Sequence, residues 1–579
     1  MVIPIGIGVR IASRGKRERV EGVAAFSKRD AVAPDVFGEI PLNQSPPFAG
    51  HNLHDSDPLL VALASAMPAA LREGFSKSGA QWGAQDSYQL AQLANTELPV
   101  LKTHDERGRR IDQVDYHPAY HSLMRRSRAA GLGGSVWQVE DNTDEKGIQH
   151  QARAVRFYLA SQVECGHLCP LTMTNAAPAA LRHNPALARE WLPLIRSRQY
   201  DPSAKAFQLK TGVTIGMAMT EKQGGTDVSQ NVTRAEPVSG DFYSITGHKW
   251  FMSAPMCDAF LVLARTGQGL SCFFMPRFLP DGSTNRIRLQ RLKNKLGNRS
   301  NASSEVEFHS AGAFLVGAEG HGARTILEMV TLTRLDCALA SSGMMRAGLC
   351  HAVHHTRHRR VFDRLLIDQP IATRVMADLA LDCAAGTVLS MRLAEAFDRA
   401  GDDPSEALFA RLMTPVIKYW VCKAAPPFLA EAMECLGGNG YTEDWPLARF
   451  YREAPVNAIW EGSGNVMCLD VLRVLRSTPE ALEGVLATVN GVFGHSRAAL
   501  GNLVRTAANA ALSDEGAARF LTEQIALTVA AAELQRIARP DIADAFLETR
   551  LGRGYSTTYG MLDSRFDARS MLEAMVPGR

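Results

Sequence analysis

Between residues 211 and 312 the periodicity of the chain changes, and that change limits the folds open to it. DFYSITGHKWFMSA, DAFLVLART, LSCFFMP and SSEVEFH are short, β-branched and aromatic, with glycine and proline between them. Such runs form strands. On either side, leucine and alanine recur at three- and four-residue spacings, as in DPLLVALASAMPAALREGF before the change. After Gly312 come three patterns long enough for bundle helices, the last closing on a glycine pair suited to a helix stop. A chain of 579 residues is also too long for a single core. The expected divisions are a mobile tail over 1–40, an N-terminal helical domain over 41–210, a β domain over 211–312, a helical bundle over 313–477 and a C-terminal helical domain over 478–579.

Composition excludes some partners. The chain has 63 Lys and Arg against 60 Asp and Glu, a net charge of +3. Any attraction to nucleic acid must therefore come from local arrangement. The ten cysteines are scattered through apolar runs, which reads as reduced core thiols in a cytoplasmic protein. ECGHLC offers Cys165, His167 and Cys169, but no second pair completes a metal site, and none is expected. No apolar run approaches the ~18 residues that a membrane helix needs. The apolar stretch at the N-terminus precedes its charges, the reverse of a secretory signal.

Two stretches inside the β region suggest a binding site. MAMTEKQGGTDVSQNVTR, residues 217–234, is a hydroxyl-rich loop at the end of a strand, able to offer Thr220 and backbone N–H groups to a planar ligand. By itself it reads equally as a glycine-rich turn with a capping aspartate. GHKWFMSAP puts Trp250 and Ser253 three residues apart on a strand, close enough along the chain to face the same ligand.

Together these stretches resemble the acyl-CoA dehydrogenase flavoproteins, whose TExxGGSD loop and KxW strand appear here as TEKQGGTD and KWFMS. The resemblance runs in order over residues 150 to 475. It continues through Arg359 and Phe362 (the family's RxxF), Gln369, ECLGGNGY and ARFYREAPVNAIWEGSGN. It implies a mainly α fold with an inserted β-barrel, namely the acyl-CoA dehydrogenase fold, plus the C-terminal helical domain. It also implies FAD. Met219, Thr220, Gly225, Thr226, Trp250 and Ser253 would lie at the flavin ring. Arg359, Phe362, Gln369, Glu434, Gly437 and Gly438 would hold the diphosphate and adenosine end across a subunit interface. Ser463 and Asn465 would stand beside the cofactor.

In that family a carboxylate removes the α-proton of an acyl thioester while hydride leaves the β-carbon. Glu461, set between Trp460 and Gly462, matches it. Taken alone it is equally an acid at the entrance to the next helix. Isovaleryl-type members carry the base on another helix, where TRLD here gives Thr333, which cannot take a proton. Two departures bear on turnover: EGTSE has become EGSGN, and the loop GGTDVSQN lacks the family's small residue near CoA.

The motifs are closer still to one branch, the AidB alkylation-response proteins. That resemblance implies a homotetramer, binding of double-stranded DNA and weak dehydrogenase activity toward isovaleryl-CoA. It marks Arg473 and Arg550 as DNA contacts, with an internal salt bridge as the other reading of Arg550. Charge gives no support here, since residues 478–579 hold ten basic and twelve acidic side chains. The densest basic run is RIRLQRLKNKLGNR, residues 286–299, with six basic residues and no acid. Its alternation suggests an exposed strand face able to meet phosphate. A metabolic acyl-CoA dehydrogenase, with an acyl-CoA or other small hydrophobic substrate and Glu461 as base, is the alternative function.

Overall fold

The computed structural model describes residues 43–138, 144–494, 498–552 and 565–577. The expected tail over 1–40 lies outside them. From Ser45 onward the chain forms one unit. It opens with α1 (Pro58–Ala64), α2 (Ala69–Gly83) and α3 (Gln85–Thr96). A β-hairpin follows, β1 (Val100–His104) with β2 (Arg110–Asp115), which the helical reading of 41–210 missed. Its signals are local: Gly108 takes a φ of +77°, and the Asp105 carboxylate accepts from the backbone N–H of Arg107 and Arg109. Helices α4 (Pro118–Ala129), α5 (Gln149–Ser161), α6 (Leu168–Leu181) and α7 (Pro185–Arg196) complete the N-terminal part.

The β domain holds β3 (Ile215–Ala218), β4 (Arg234–Ser239), β5 (Phe242–Ser253), β6 (Ala259–Thr266), β7 (Gly269–Pro276), β8 (Ile287–Leu292) and β9 (Ser303–Val316). β9 runs four residues past the expected boundary at 312. It pairs antiparallel with β5 from Phe242↔Phe314 to Ser253↔Ser303, and with β7 near its end. β6 pairs with β7 antiparallel and touches β4, which pairs with β5, so the sheet closes on itself as a barrel. β3 and β8 pair alongside β6 and β9. Phe260, Phe273, Phe274 and Phe308 fill the barrel core, and Trp191 of α7 joins the same apolar cluster.

The bundle consists of α8 (Gly322–His358), α9 (Pro370–Arg399) and α10 (Pro404–Glu434), then α11 (Pro446–Glu453) and α12 (Gly464–Ser477). A short hairpin of β10 (Arg360–Val361) and β11 (Arg364–Leu365) joins α8 to α9. α8 is buried without a break from Thr333 to Val353, the mark of a helix enclosed on all sides. Small residues allow this: a Cβ at Gly343 would meet Ser161 Oγ of α5 at 2.0 Å. Arg346 of α8 ties distant parts of the chain together. It donates to the carbonyls of Ser56 and Met575 and pairs with Asp57, the capping residue of α1.

Helices α13 (Glu480–Phe493), α14 (Ala498–Ser513), α15 (Ala518–Ile537), α16 (Pro540–Arg550) and α17 (Ala568–Met575) follow. Their apolar residues Val489, Leu521, Phe546 and Leu572 belong to the same core as the bundle. Arg550 fastens α16 to α9, donating to Asp378 at 2.7 Å and Asp382 at 2.9 Å with its side chain 11% exposed. This is the internal salt bridge, not an exposed phosphate contact. Arg550→Met should lower stability to denaturant by about 3–5 kcal/mol, because two buried carboxylates lose their cation. Equilibrium unfolding followed by circular dichroism measures it.

Candidate active site

The loop after β3 folds around a buried ion pair. The Glu221 carboxylate and the Lys249 ammonium meet at 2.7 Å, both fully buried. Glu221 also accepts from the backbone N–H groups of Val232 and Thr233. Burial alone would raise the Glu221 pKa, but Lys249 and these amides hold it well below the usual carboxylate range. Lys249 alternates with Trp250 along β5, so its inward ammonium fixes which face the indole presents. The backbone N–H of Trp250 donates to Thr220 O at 2.8 Å, which brings loop and strand side by side. Met219, Thr220, Gly225, Trp250 and Ser253 are all half-buried along this rim, and Thr226 is exposed. At Gly225 a Cβ would lie 2.3 Å from Thr220 Oγ1, so any larger residue would displace the Thr220 side chain. The Lys293 ammonium stands 3.3 Å from the centre of the Trp250 ring.

Glu461 sits at the junction of barrel and bundle. Its φ is +59° and that of Gly462 is +100°, so the turn is left-handed at a residue with a side chain. Such a conformation costs on the order of 1–3 kcal/mol and persists only when the surroundings impose it. Here cations impose it. Lys418 of α10 donates to the carbonyls of Trp460 and Gly462, and Arg334 of α8 donates to the carbonyl of Glu461 at 3.1 Å. Trp460 packs against the barrel cluster, and its indole N–H donates to Asn457. The Glu461 carboxylate accepts from Thr333 Oγ1 at 2.7 Å. The two positions that the family resemblance offers for a base thus meet in space. Burial pushes the Glu461 pKa above the ordinary carboxylate value, against the pull of Thr333, Arg334 and Lys418.

Cys169 of α6 connects this turn to the rim. Burial raises its thiol to about 12; Lys295 and a hydrogen bond with Ser253 of β5 work against that, and the charge of Glu461 adds to it. His167 serves structure. It joins Glu164 at 2.6 Å and Ser127 at 2.8 Å, and all three are sealed from solvent. Among the described residues no group of three or more His, Cys, Asp or Glu is arranged to hold a metal ion.

A second group of candidate residues gathers at the far end of α8. Arg359 caps that helix, and Gln369 caps α9 while donating to Val361 O at 3.1 Å. Phe362 is 89% exposed at the tip of the β10–β11 hairpin. Glu434 ends α10, and Gly437, with φ +59°, and Gly438 lie in open space beyond it. Thr333 and Arg359 are 26 residues apart on or at the end of one helix, so about 39 Å separates the two groups. One chain does not bring them together. Ser463 caps α12, while the amide oxygen of Asn465 accepts from Arg519 of α15. Arg473 projects from α12, 69% exposed, and shares Asp470 with Arg334 and Arg411.

Residues 216–311 match the acyl-CoA dehydrogenase middle domain, and residues 320–476 match the C-terminal domain of the same family. Residues 43–202 match the adaptive response protein AidB N-terminal domain. Over 514 residues the chain is 46% identical to AidB of Escherichia coli (strain K12), covering 88% of this chain and 94% of that protein. The chain is an AidB-type member of the acyl-CoA dehydrogenase family. It is 32% identical over 473 residues to acyl-CoA dehydrogenase family member 11 of Caenorhabditis elegans, covering 77% of this chain and 74% of that one. Its fold superposes on Caenorhabditis elegans ACDH-11, solved in complex with C11-CoA, with a TM-score of 0.80 at 26% identity over 93% of this chain and 96% of that one. The apo form of Bd2924 gives 0.78 at 27% identity, over 86% and 99%. The acyl-CoA dehydrogenase architecture, barrel and bundle with further helices, is therefore that of this oxidoreductase family.

Four residues of the site escaped the sequence reading: Glu221, Lys249, Arg334 and Lys418. The first two stand inside the two β-region motifs, each one residue from a candidate. The last two lie 127 and 43 residues from the turn that they hold, and nothing local marks them. The raised Glu461 pKa has a measurable sign. A carboxyl whose pKa rises on folding contributes stability below its ordinary value of 4.5, which is lost as pH climbs through the folded value. Glu461→Gln should therefore melt above the parent protein at pH 7.5, with the gain gone by pH 4. Thermal melts across that range would measure it.

Proposed function

We propose that this chain is an FAD-containing acyl-CoA dehydrogenase-type flavoprotein of the DNA alkylation response, cytoplasmic and homotetrameric, which binds double-stranded DNA and protects it or destroys alkylating agents. The observation that carries its catalytic half is the Glu461 turn, strained, partly desolvated and braced by cations on three carbonyls. A base that must remove a weakly acidic α-proton gains from a raised pKa and a fixed position. FAD, if bound at the rim, would supply the acceptor for the hydride of the acyl β-carbon. Glu461 takes the α-proton on a carboxylate oxygen, and Thr333 orients that carboxylate through the other. Trp460, packed against the barrel cluster beside that carboxylate, would help to keep water from the reacting carbons.

The half-buried rim of Met219, Thr220, Gly225 and Trp250 suits a planar hydrogen-bonding ring. The group around Arg359 and Gly437 suits a diphosphate. About 39 Å along α8 is the separation expected if each cofactor takes its two ends from different chains, which favours an oligomer. That ACDH-11 was solved with C11-CoA supports an acyl-CoA or similar apolar substrate, with weak turnover of isovaleryl-type chains.

The DNA half rests on the AidB likeness over 94% of the Escherichia coli protein and on the cluster around Asp470. There three guanidinium groups share one carboxylate, and Arg411 and Arg473 face solvent. Guanidinium groups are well shaped for phosphate. A purely metabolic dehydrogenase is the second reading, favoured by the acidic balance of residues 478–579.

Two experiments separate these halves. Glu461→Gln should keep FAD yet lose bleaching of the flavin by isovaleryl-CoA; unchanged bleaching would remove Glu461 from the chemistry. Duplex DNA titrated at 50 and 200 mM salt should bind with a steep salt dependence, and Arg473→Ala should lower the log–log slope by about 1 for each phosphate that is no longer neutralised. Binding insensitive to salt and to Arg473 would leave the metabolic reading.

A further inference from the structure

A cavity of about 230 Å³ opens where the β1–β2 hairpin meets the barrel. Its walls carry Arg110, Asp112, Arg277, Arg286 and Arg288, four arginines and one acidic residue. That carboxylate is committed. Asp112 accepts from Arg110 Nε at 2.7 Å and from the Leu289 N–H at 3.1 Å, with its backbone in the left-handed region at φ +45°. Arg110 also donates to Leu289 O at 2.7 Å, which fastens the hairpin to β8.

The other three arginines make no ion pair of their own: Arg277 lies 5.7 Å from the centre of the Phe278 ring, and Arg286 and Arg288 are exposed. Asp258 is the acidic group that acts most on Arg277, but Lys210 holds it at 2.6 Å and the Thr214 N–H at 2.8 Å. Among the described residues, nothing accepts a hydrogen bond or ion pair from the side chains of Arg277, Arg286 or Arg288. Glu307 lies opposite Arg288 across the strands, yet pairs with His309. Three other members of the basic run are engaged in structure: Arg291 and Lys293 both bind Glu305, and Lys295 binds Asn301 O and Ser303. Two arginines of the run, Arg286 and Arg288, thus reach the cavity with no protein acceptor, and Arg277, just after β7, joins them.

Guanidinium groups gathered around a recess repel one another unless an anion lies between them, and their planar forks match phosphate oxygens. The volume is below the ~300–1,000 Å³ of sites for drug-sized ligands, which limits the occupant to a small group. We propose that this cavity binds a phosphate-type oxyanion, free or as the head of a small phosphomonoester, through Arg277, Arg286 and Arg288. The lining shares no residue with the Glu461 turn or the Arg473 face, and the proposal does not depend on the function of either.

Calorimetric titration of the full-length protein with inorganic phosphate, against chloride at matched ionic strength, tests it. Saturable binding of one phosphate per chain is expected, weakened at least ten-fold by Arg277→Met and also by Arg286→Met. The second variant alters an exposed side chain and leaves folding intact. Arg473→Met should bind as the parent does. Phenyl phosphate distinguishes the two sources: tighter binding than phosphate assigns the site to a monoester, weaker binding to the free ion. Absence of saturable binding, or binding unchanged in both Arg277→Met and Arg286→Met, would overturn the proposal.

Discussion

Positive charge from two bundle helices holds the Glu461 turn in a conformation that it would not adopt unaided. Lys418 and Arg334 do not neutralise the carboxylate; they bind the carbonyls of residues 460, 461 and 462. This separates two requirements that usually conflict. The backbone is fixed by strong charge-assisted hydrogen bonds, while the side chain stays in surroundings that disfavour its ionised form. Had the same cations paired with the carboxylate directly, its pKa would have fallen and its basicity with it.

The opposite arrangement holds the rim, where cation and carboxylate pair directly. Glu221 and Lys249 satisfy each other's charges in the interior, and the loop and strand that flank them receive their geometry from that bond. α8 links the Glu461 turn to the rest of the chain. Asp336, one turn from Thr333, accepts a two-pronged bond from Arg153 of α5 at 2.7 Å for each prong and a third from Thr172 of α6. Further along, Arg346 reaches both α1 and α17. A single buried helix therefore registers the active-site turn, the N-terminal helices and the C-terminal helices against one another.

The alternation of helical and strand periodicities made the layered architecture legible, because burial imposes those periods directly on the sequence. The β1–β2 hairpin escaped because its strands are five and six residues long and largely polar, with little apolar patterning to announce them. At the site, motif residues near one another in the chain were readable, as Thr220 and Trp250 show. Lys418 and Arg334 were not, since their partners are backbone carbonyls, and a carbonyl has no letter in the sequence. Arg550 shows the converse: an arginine matching a short motif is buried against two aspartates.

The length of α8 has a genetic consequence. If the rim and the Arg359 group serve one cofactor only by meeting across chains, each protomer carries two half-sites that belong to different whole sites. A chain damaged at the rim and a chain damaged at Arg359 would each be inactive alone. Co-assembled, they would form some sites carrying both lesions and others carrying none. Two null alleles of this gene could then restore one another's activity in the same cell.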